Sequence, residues 1–144
     1  MVIETRLQEL LGAYGDGRDG SAPTPAQWRT ILSRDPDAPI TLINFFKFRA
    51  VAVGADAGVS GMEAFGRYAA VSAGAVAEAG AELIKVGAFA GLFAGEDEDW
   101  DMVAIGSYPN LKSLLTLLDN PAYRTCYDHR RNGCERQKVL IATA

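Results

Sequence analysis

Apolar residues at Ile3, Leu7, Leu10, Leu11 and Tyr14 recur at the three-and-four spacing of a helix, so the chain opens with an amphipathic helix. Gly15 to Pro23 reads as a flexible loop. Thr24, Pro25 and Gln27 then spell a helix start: a hydroxyl cap, a first-turn proline, and a glutamine able to reach back to the cap. The helix they open presents Trp28, Ile31 and Leu32, and it ends before the turn Asp35-Pro36-Asp37-Ala38-Pro39.

At Ile40 the pattern changes. Ile40 to Phe48 is nearly continuous Ile, Leu and Phe after a proline, which predicts a strand buried on both faces. Ala50 to Val59 is a loop of small residues. Ser60 and Glu63 form a second capping box, opening a long alanine-rich helix that closes at Gly80. Leu83 to Phe93 and Trp100 to Tyr108 are predicted strands, joined through the acidic turn Gly95-Glu96-Asp97-Glu98. Asn110 caps a helix with the apolar stripe Leu111, Leu114, Leu115 and Leu118. Asn120-Pro121 restarts a short helix carrying Tyr123, Tyr127 and His129, and Val139 to Thr143 supplies a last strand.

From residue 40 the order is β-α-β-β-α-β, the split βαβ arrangement. The expected class is α+β: a ferredoxin-like, four-stranded antiparallel sheet with helices on one face. Residues 1–39 form an N-terminal helical extension and residues 40–144 the sheet domain. Helices cover one face of such a sheet, yet Ile40–Phe48 and Val103–Tyr108 are apolar on both. An uncovered apolar face needs a partner surface, and a homodimer through that open face is the simplest solution.

Composition narrows the function classes. The formal net charge of -4 argues against a surface for nucleic acid or anionic membrane. The longest apolar run, Val86 to Ala94, falls far short of the ~20 residues a helical span needs. Met1 to Arg6 lacks the basic-then-apolar layout of an export signal, so a cytoplasmic chain with reduced Cys126 and Cys134 is expected. The two cysteines lack CxxC spacing, and with a single histidine there is no metal-ligand set. No cofactor motif stands in context either. Gly15-Asp16-Gly17-Arg18-Asp19-Gly20 matches GxGxxG, but it follows a helix rather than a strand. Ser72 in Ala70-Val71-Ser72-Ala73-Gly74 lies inside a helix and not on a nucleophile elbow. Asp97, Asp99 and Asp101 begin like a calcium loop, but Met102 and Tyr108 hold its glycine and glutamate positions, so they read as solvated acids. Trp100 to Ile105 lacks the basic, aromatic signature of an RNA-recognition strand.

A few polar residues remain. Asn44 lies mid-strand among apolar neighbours and must find partners, as a ligand contact or as a satisfied core amide. Tyr68 on the long helix faces inward, where its hydroxyl lines a cleft or meets the backbone. Trp100 begins a strand and serves as packing or as a platform for a ligand. His129, beside Arg130 and Arg131, is the one side chain whose unperturbed pKa suits acid–base work near neutrality; cations at a helix end also answer its dipole.

Leu42-Ile43-Asn44-Phe45-Phe46-Lys47-Phe48-Arg49, Trp100-Asp101, Tyr108-Pro109-Asn110 and Asn120-Pro121-Ala122-Tyr123, with Arg130 beyond, together resemble one family. It is the "domain of unknown function 1330" family of the dimeric α+β barrel superfamily. The resemblance covers about residues 40 to 143 and leaves the N-terminal helices outside it. It implies a ferredoxin-like protomer pairing its sheet with a second copy; the family carries no settled activity. Asn110 stands where a serine is common, and Arg131-Asn132-Gly133-Cys134 replaces a more apolar stretch. The wider superfamily holds monooxygenases, haem-degrading enzymes and small dehydratases that use a cleft between sheet and helices. By that analogy a small organic molecule would sit in this cleft against Asn44, Tyr68, Trp100 and Arg130, with His129 as proton carrier. The alternatives are a non-catalytic assembly module and a cofactor-independent monooxygenase-like or isomerase-like enzyme.

Overall fold

The computed structural model describes residues 1–143. Helix α1 (Ile3–Tyr14) and helix α2 (Pro25–Leu32) precede strand β1 (Ile40–Phe48). Helix α3 (Gly61–Glu78), strands β2 (Glu82–Ala88) and β3 (Met102–Tyr108), helices α4 (Leu111–Asp119) and α5 (Pro121–Gly133), and strand β4 (Cys134–Ala142) follow. The strands form a single antiparallel sheet in the order β2-β3-β1-β4, the ferredoxin-like α+β topology.

The helix starts follow their local chemistry. Thr24 and Gln27 complete a full capping box at α2. At α3 only half of the expected box forms: Ser60 Oγ accepts from the Glu63 N–H at 3.0 Å, and the Glu63 side chain makes no return bond. Asn120 both ends α4 and caps α5, accepting from the Ala122 and Tyr123 N–H groups at 2.9 and 3.3 Å.

Strand lengths depart from the sequence pattern. The strand expected to reach Phe93 stops at Ala88, opposite Met102, and β3 begins at Met102 rather than Trp100. Between them residues 89–101 fold back irregularly, with the Phe89 N–H donating to the Asp101 carbonyl at 3.0 Å. Strand β4 starts at Cys134, before the expected Val139, because pairing with β1 recruits the polar stretch Glu135-Arg136-Gln137-Lys138. A bulge between Lys47 and Phe48 leaves the Phe48 N–H off the ladder, and the Asp101 carboxylate accepts it at 2.8 Å. Asp101 is therefore a structural acid, not a solvated one.

Alternation places Ile40, Leu42, Asn44, Phe46 and Phe48 toward the helices, where Ile40 and Phe46 are buried. Thr41, Ile43, Phe45 and Lys47 face away, level with Val103 and Ile105 on β3 and with Leu140 on β4. This second face is half-buried rather than sealed, since no helix covers it. The core takes in both N-terminal helices: Leu7, Leu10, Tyr14, Trp28, Ile31 and Leu32 join the cluster around Phe46 and Phe65. Tyr14 Oη donates to the Leu118 carbonyl at 2.6 Å, and Tyr127 Oη donates to the Ser21 carbonyl at 2.7 Å.

Candidate functional site

The turn Gly54–Asp56, inside what the sequence marks only as a small-residue loop, delivers Asp56 against α3 and α5. Its φ of +63° at Gly54 suits glycine, and a Cβ there would meet Asn132 Oδ1 at 2.8 Å. Asp56 is 1% exposed. Arg67 Nη1 on α3 donates to Oδ1 at 2.7 Å, and Asn132 Nδ2 on α5 donates to Oδ2 at 3.0 Å. His129 Nδ1 lies 2.8 Å from Oδ2 and 2.9 Å from Oδ1. Burial alone would raise the pKa of Asp56, but the hydrogen bonds from Asn132, His129 and Arg67 outweigh it and hold the carboxyl at about 2.

That depression has a signed consequence. A carboxyl more acidic in the folded state stabilises the fold above its ordinary pKa of 3.8, and the contribution fades as pH falls toward 2. Melting temperature should therefore drop between about pH 4 and pH 2 for the wild type, and that acid limb should be flatter in Asp56→Asn. Identical acid limbs in the two proteins would remove Asp56 from the account.

The other side of His129 opens on a groove of about 410 Å³ between α3 and α5, walled by Val71, Pro121, Ala122, Thr125 and Cys126. The lining is mainly apolar. Cys126 supplies no nucleophile there: burial pushes its thiol pKa up, and its Sγ donates to the Tyr123 carbonyl at 3.3 Å. Cys134 is pushed by burial to about 11.

Arg130, one residue along α5, points into the core and is 7% exposed. Its Nε donates to Gln137 Oε1 at 2.7 Å and its Nη1 donates to Tyr68 Oη at 3.2 Å. The guanidinium carbon sits 4.8 Å from the Phe46 ring centre, 5.0 Å from Tyr127 and 5.5 Å from Tyr68. No carboxylate pairs with it among the described residues. Tyr68 and Tyr123 hydroxyls lie 2.9 Å apart, and burial raises the Tyr123 pKa well above the usual phenol range.

The structure thus joins Tyr68 to Arg130 and sends the other sequence candidates elsewhere. Consecutive helical residues diverge by roughly 100°, so His129 meets Asp56 while Arg130 enters the core. Asn44 faces the helices, but its amide donates to the Ala104 carbonyl at 3.0 Å and to the Leu42 carbonyl at 3.4 Å. Trp100 packs on the opposite face of the sheet, its ring 5.8 Å from Phe45 and 4.7 Å from the Arg136 guanidinium, with Nε1 donating to Glu98 at 3.0 Å. The sheet itself separates Trp100 from Arg130. Asp56, Arg67 and Asn132 carry no motif; Asp56 shows only as a carboxylate between Gly54 and Gly58. Among the described residues no group of His, Cys, Asp and Glu is arranged to hold a metal ion, and no helix is long and apolar enough to cross a membrane.

No family model matches this chain, and no curated protein sequence matches it. Solved structures do. A protein of unknown function from Rhodopseudomonas palustris is 26% identical with a TM-score of 0.77, covering 85% of this chain and 95% of that one. That share of the chain is larger than residues 40–144 make up, so the likeness takes in part of residues 1–39. SnoaB, a cofactor-independent oxygenase from Streptomyces nogalater, is 15% identical over 74% of this chain and 93% of its own, with a TM-score of 0.48. A dimeric protein of unknown function with a ferredoxin-like fold from Bacteroides fragilis is 17% identical over 74% of this chain and 96% of its own, with a TM-score of 0.45.

Proposed function

We propose that the chain is a cytoplasmic homodimer of ferredoxin-like protomers, a member of the domain of unknown function 1330 family, that binds a small organic molecule and moves a proton through His129. The observation that carries the reading is the pairing of His129 with the sealed Asp56 carboxylate at the rim of an apolar groove. With Nδ1–H donating to Asp56, the other ring nitrogen, which makes no hydrogen bond among the described residues, is free to accept a proton. Tyr68 and Arg130 hold α5 from the core side, so their contribution to the ligand is the position of His129. The groove is shallow and open, and its apolar walls offer contact to one side of a small ligand.

The dimer rests on a different observation. Ile43, Phe45, Val103, Ile105 and Leu140 share a face that no helix covers. Its border carries both signs of charge, with Lys138 bonded to Glu98 and Lys47 to Asp99. A second copy turned by a two-fold axis would set this apolar surface opposite itself. The non-catalytic assembly module is the second reading, favoured by this same face.

A thermal-shift screen of small uncharged aromatics separates the readings. A ligand at one hundred times its dissociation constant adds about 2.7 kcal/mol of stability. The expected result is a shift in wild type that Ala122→Trp, which fills the groove, abolishes. No shift with any compound, or one that survives Ala122→Trp, moves the reading to the assembly module. Light scattering of wild type should give a dimer mass that Ile105→Lys halves; a monomer mass at every concentration would end the dimer claim.

A further inference from the structure

A second cavity, of about 220 Å³, lies at the junction of α5 and β4. The loop containing Ser21 and the residue Val53 close its sides. Three arginines line it, Arg49, Arg131 and Arg136, against two acids, Asp19 and Glu135. Two of those arginines are already occupied. Arg131 donates to Ser21 Oγ and to the Tyr14 carbonyl, and Arg136 donates to the Asp99 carbonyl at 2.7 Å while stacking on Trp100. Asp19 is turned to its own loop, accepting from the Ser21 N–H at 2.9 Å and the Ser21 hydroxyl at 2.7 Å.

Arg49 differs. Its side chain makes no hydrogen bond or ion pair among the described residues, and its Nε is sealed from solvent without a partner. A buried donor left unmatched is costly and rare in folded proteins. Trp28 Nε1 and Arg34 Nε are also unmatched, but neither residue lines the groove or this cavity, and Arg34 has a carbonyl partner through Nη2. The Arg49 main chain is held on both sides, its N–H donating to the Gly133 carbonyl at 2.8 Å and its carbonyl accepting from the Gly61 N–H at 3.1 Å. Gln137 adds a second donor: its Oε1 is taken by Arg130, which leaves its amide N–H groups without a partner among the described residues.

We propose that this cavity binds the carboxylate of a small organic acid, held by the two terminal Nη groups of Arg49 and the Gln137 amide. The planar fork of arginine matches an oxyanion with two parallel hydrogen bonds. A volume below the range of drug-sized pockets restricts the occupant to a few carbons, and Val53 and Cys134 offer those carbons apolar contact. The site is separate from the groove at His129, although Asn132 walls the cavity and also donates to Asp56, the partner of His129.

Isothermal titration calorimetry in low-salt buffer tests the assignment, with propionate and inorganic phosphate as probes. Propionate should saturate the wild type; Arg49→Met should weaken it at least tenfold, and Arg49→Lys should weaken it less. Arg49→Met should melt no lower than wild type, because it removes an unmatched donor. His129→Gln should keep the affinity, which distinguishes this site from the groove. Saturation by phosphate but not propionate would overturn the carboxylate and leave a tetrahedral oxyanion in its place. Absence of saturable heat with both probes, unchanged affinity in Arg49→Met, or a marked drop in its melting temperature would overturn the site.

Discussion

Arg130→Ala is expected to lower the unfolding free energy by about 3–5 kcal/mol. The side chain is 7% exposed and fills the space between Phe46, Tyr68 and Tyr127. Truncation leaves a cavity there and strips Gln137 Oε1 of its donor. It also ends the cation–ring contacts, which are worth up to about 2 kcal/mol when desolvated. Burial opposes the charge of Arg130, yet the surrounding Tyr127, Tyr68 and Tyr123 hold its pKa above the usual guanidinium range, so the group stays cationic throughout. Arg130→Met should recover about half the loss, because it restores the packed stem without the fork. The measurement is urea denaturation: the midpoint should fall with the slope unchanged. A loss under about 1 kcal/mol in Arg130→Ala would show that the ring cage closes on itself without the cation.

Gly61→Ala should cost about 3 kcal/mol, at the upper end for overpacking. A Cβ on Gly61 would lie 2.2 Å from the Arg49 carbonyl oxygen, 2.5 Å from the Gly133 carbonyl oxygen and 2.6 Å from the Arg49 nitrogen. All three are main-chain atoms, so no side chain can rotate out of the way. The start of α3 would have to move off the end of β1 and the α5–β4 junction, stretching the hydrogen bonds that hold Arg49. Gly66 gives an internal control: it lies mid-helix on α3 with nothing within 4 Å of its Cβ position. Gly66→Ala should stabilise by roughly 0.5–1 kcal/mol through helix propensity. Equal melting temperatures for the two alanine variants would contradict the close approach at Gly61.

The element order and the helix starts were legible because their causes are local. Thr24-Pro25-Gln27 caps α2 through bonds within three residues, and the apolar density of Ile40–Phe48 marks a strand whatever it pairs with. Errors fall where pairing overrides composition. Strand β4 reaches back to Cys134 because β1 offers a free edge, although Glu135-Arg136-Gln137-Lys138 shows no apolar signal. The segment from Phe89 to Phe93 is apolar enough for a strand, yet β3 ends its partnership at Met102.

The site divides in the same way. Residue type alone singled out His129 as the proton-transfer candidate, and the apolar strands pointed to an uncovered sheet face. Neither Asp56 nor Arg49 stands out by neighbours in sequence. Asp56 gains its role by being pressed among Arg67, His129 and Asn132, up to 76 residues away, in a place water does not reach. Arg49 gains its role by lacking a partner where β1 meets α5 and β4, a property only complete packing can reveal. Periodicity and capping are encoded between near neighbours; the environment that makes a charge useful comes from residues the fold brings together from a distance.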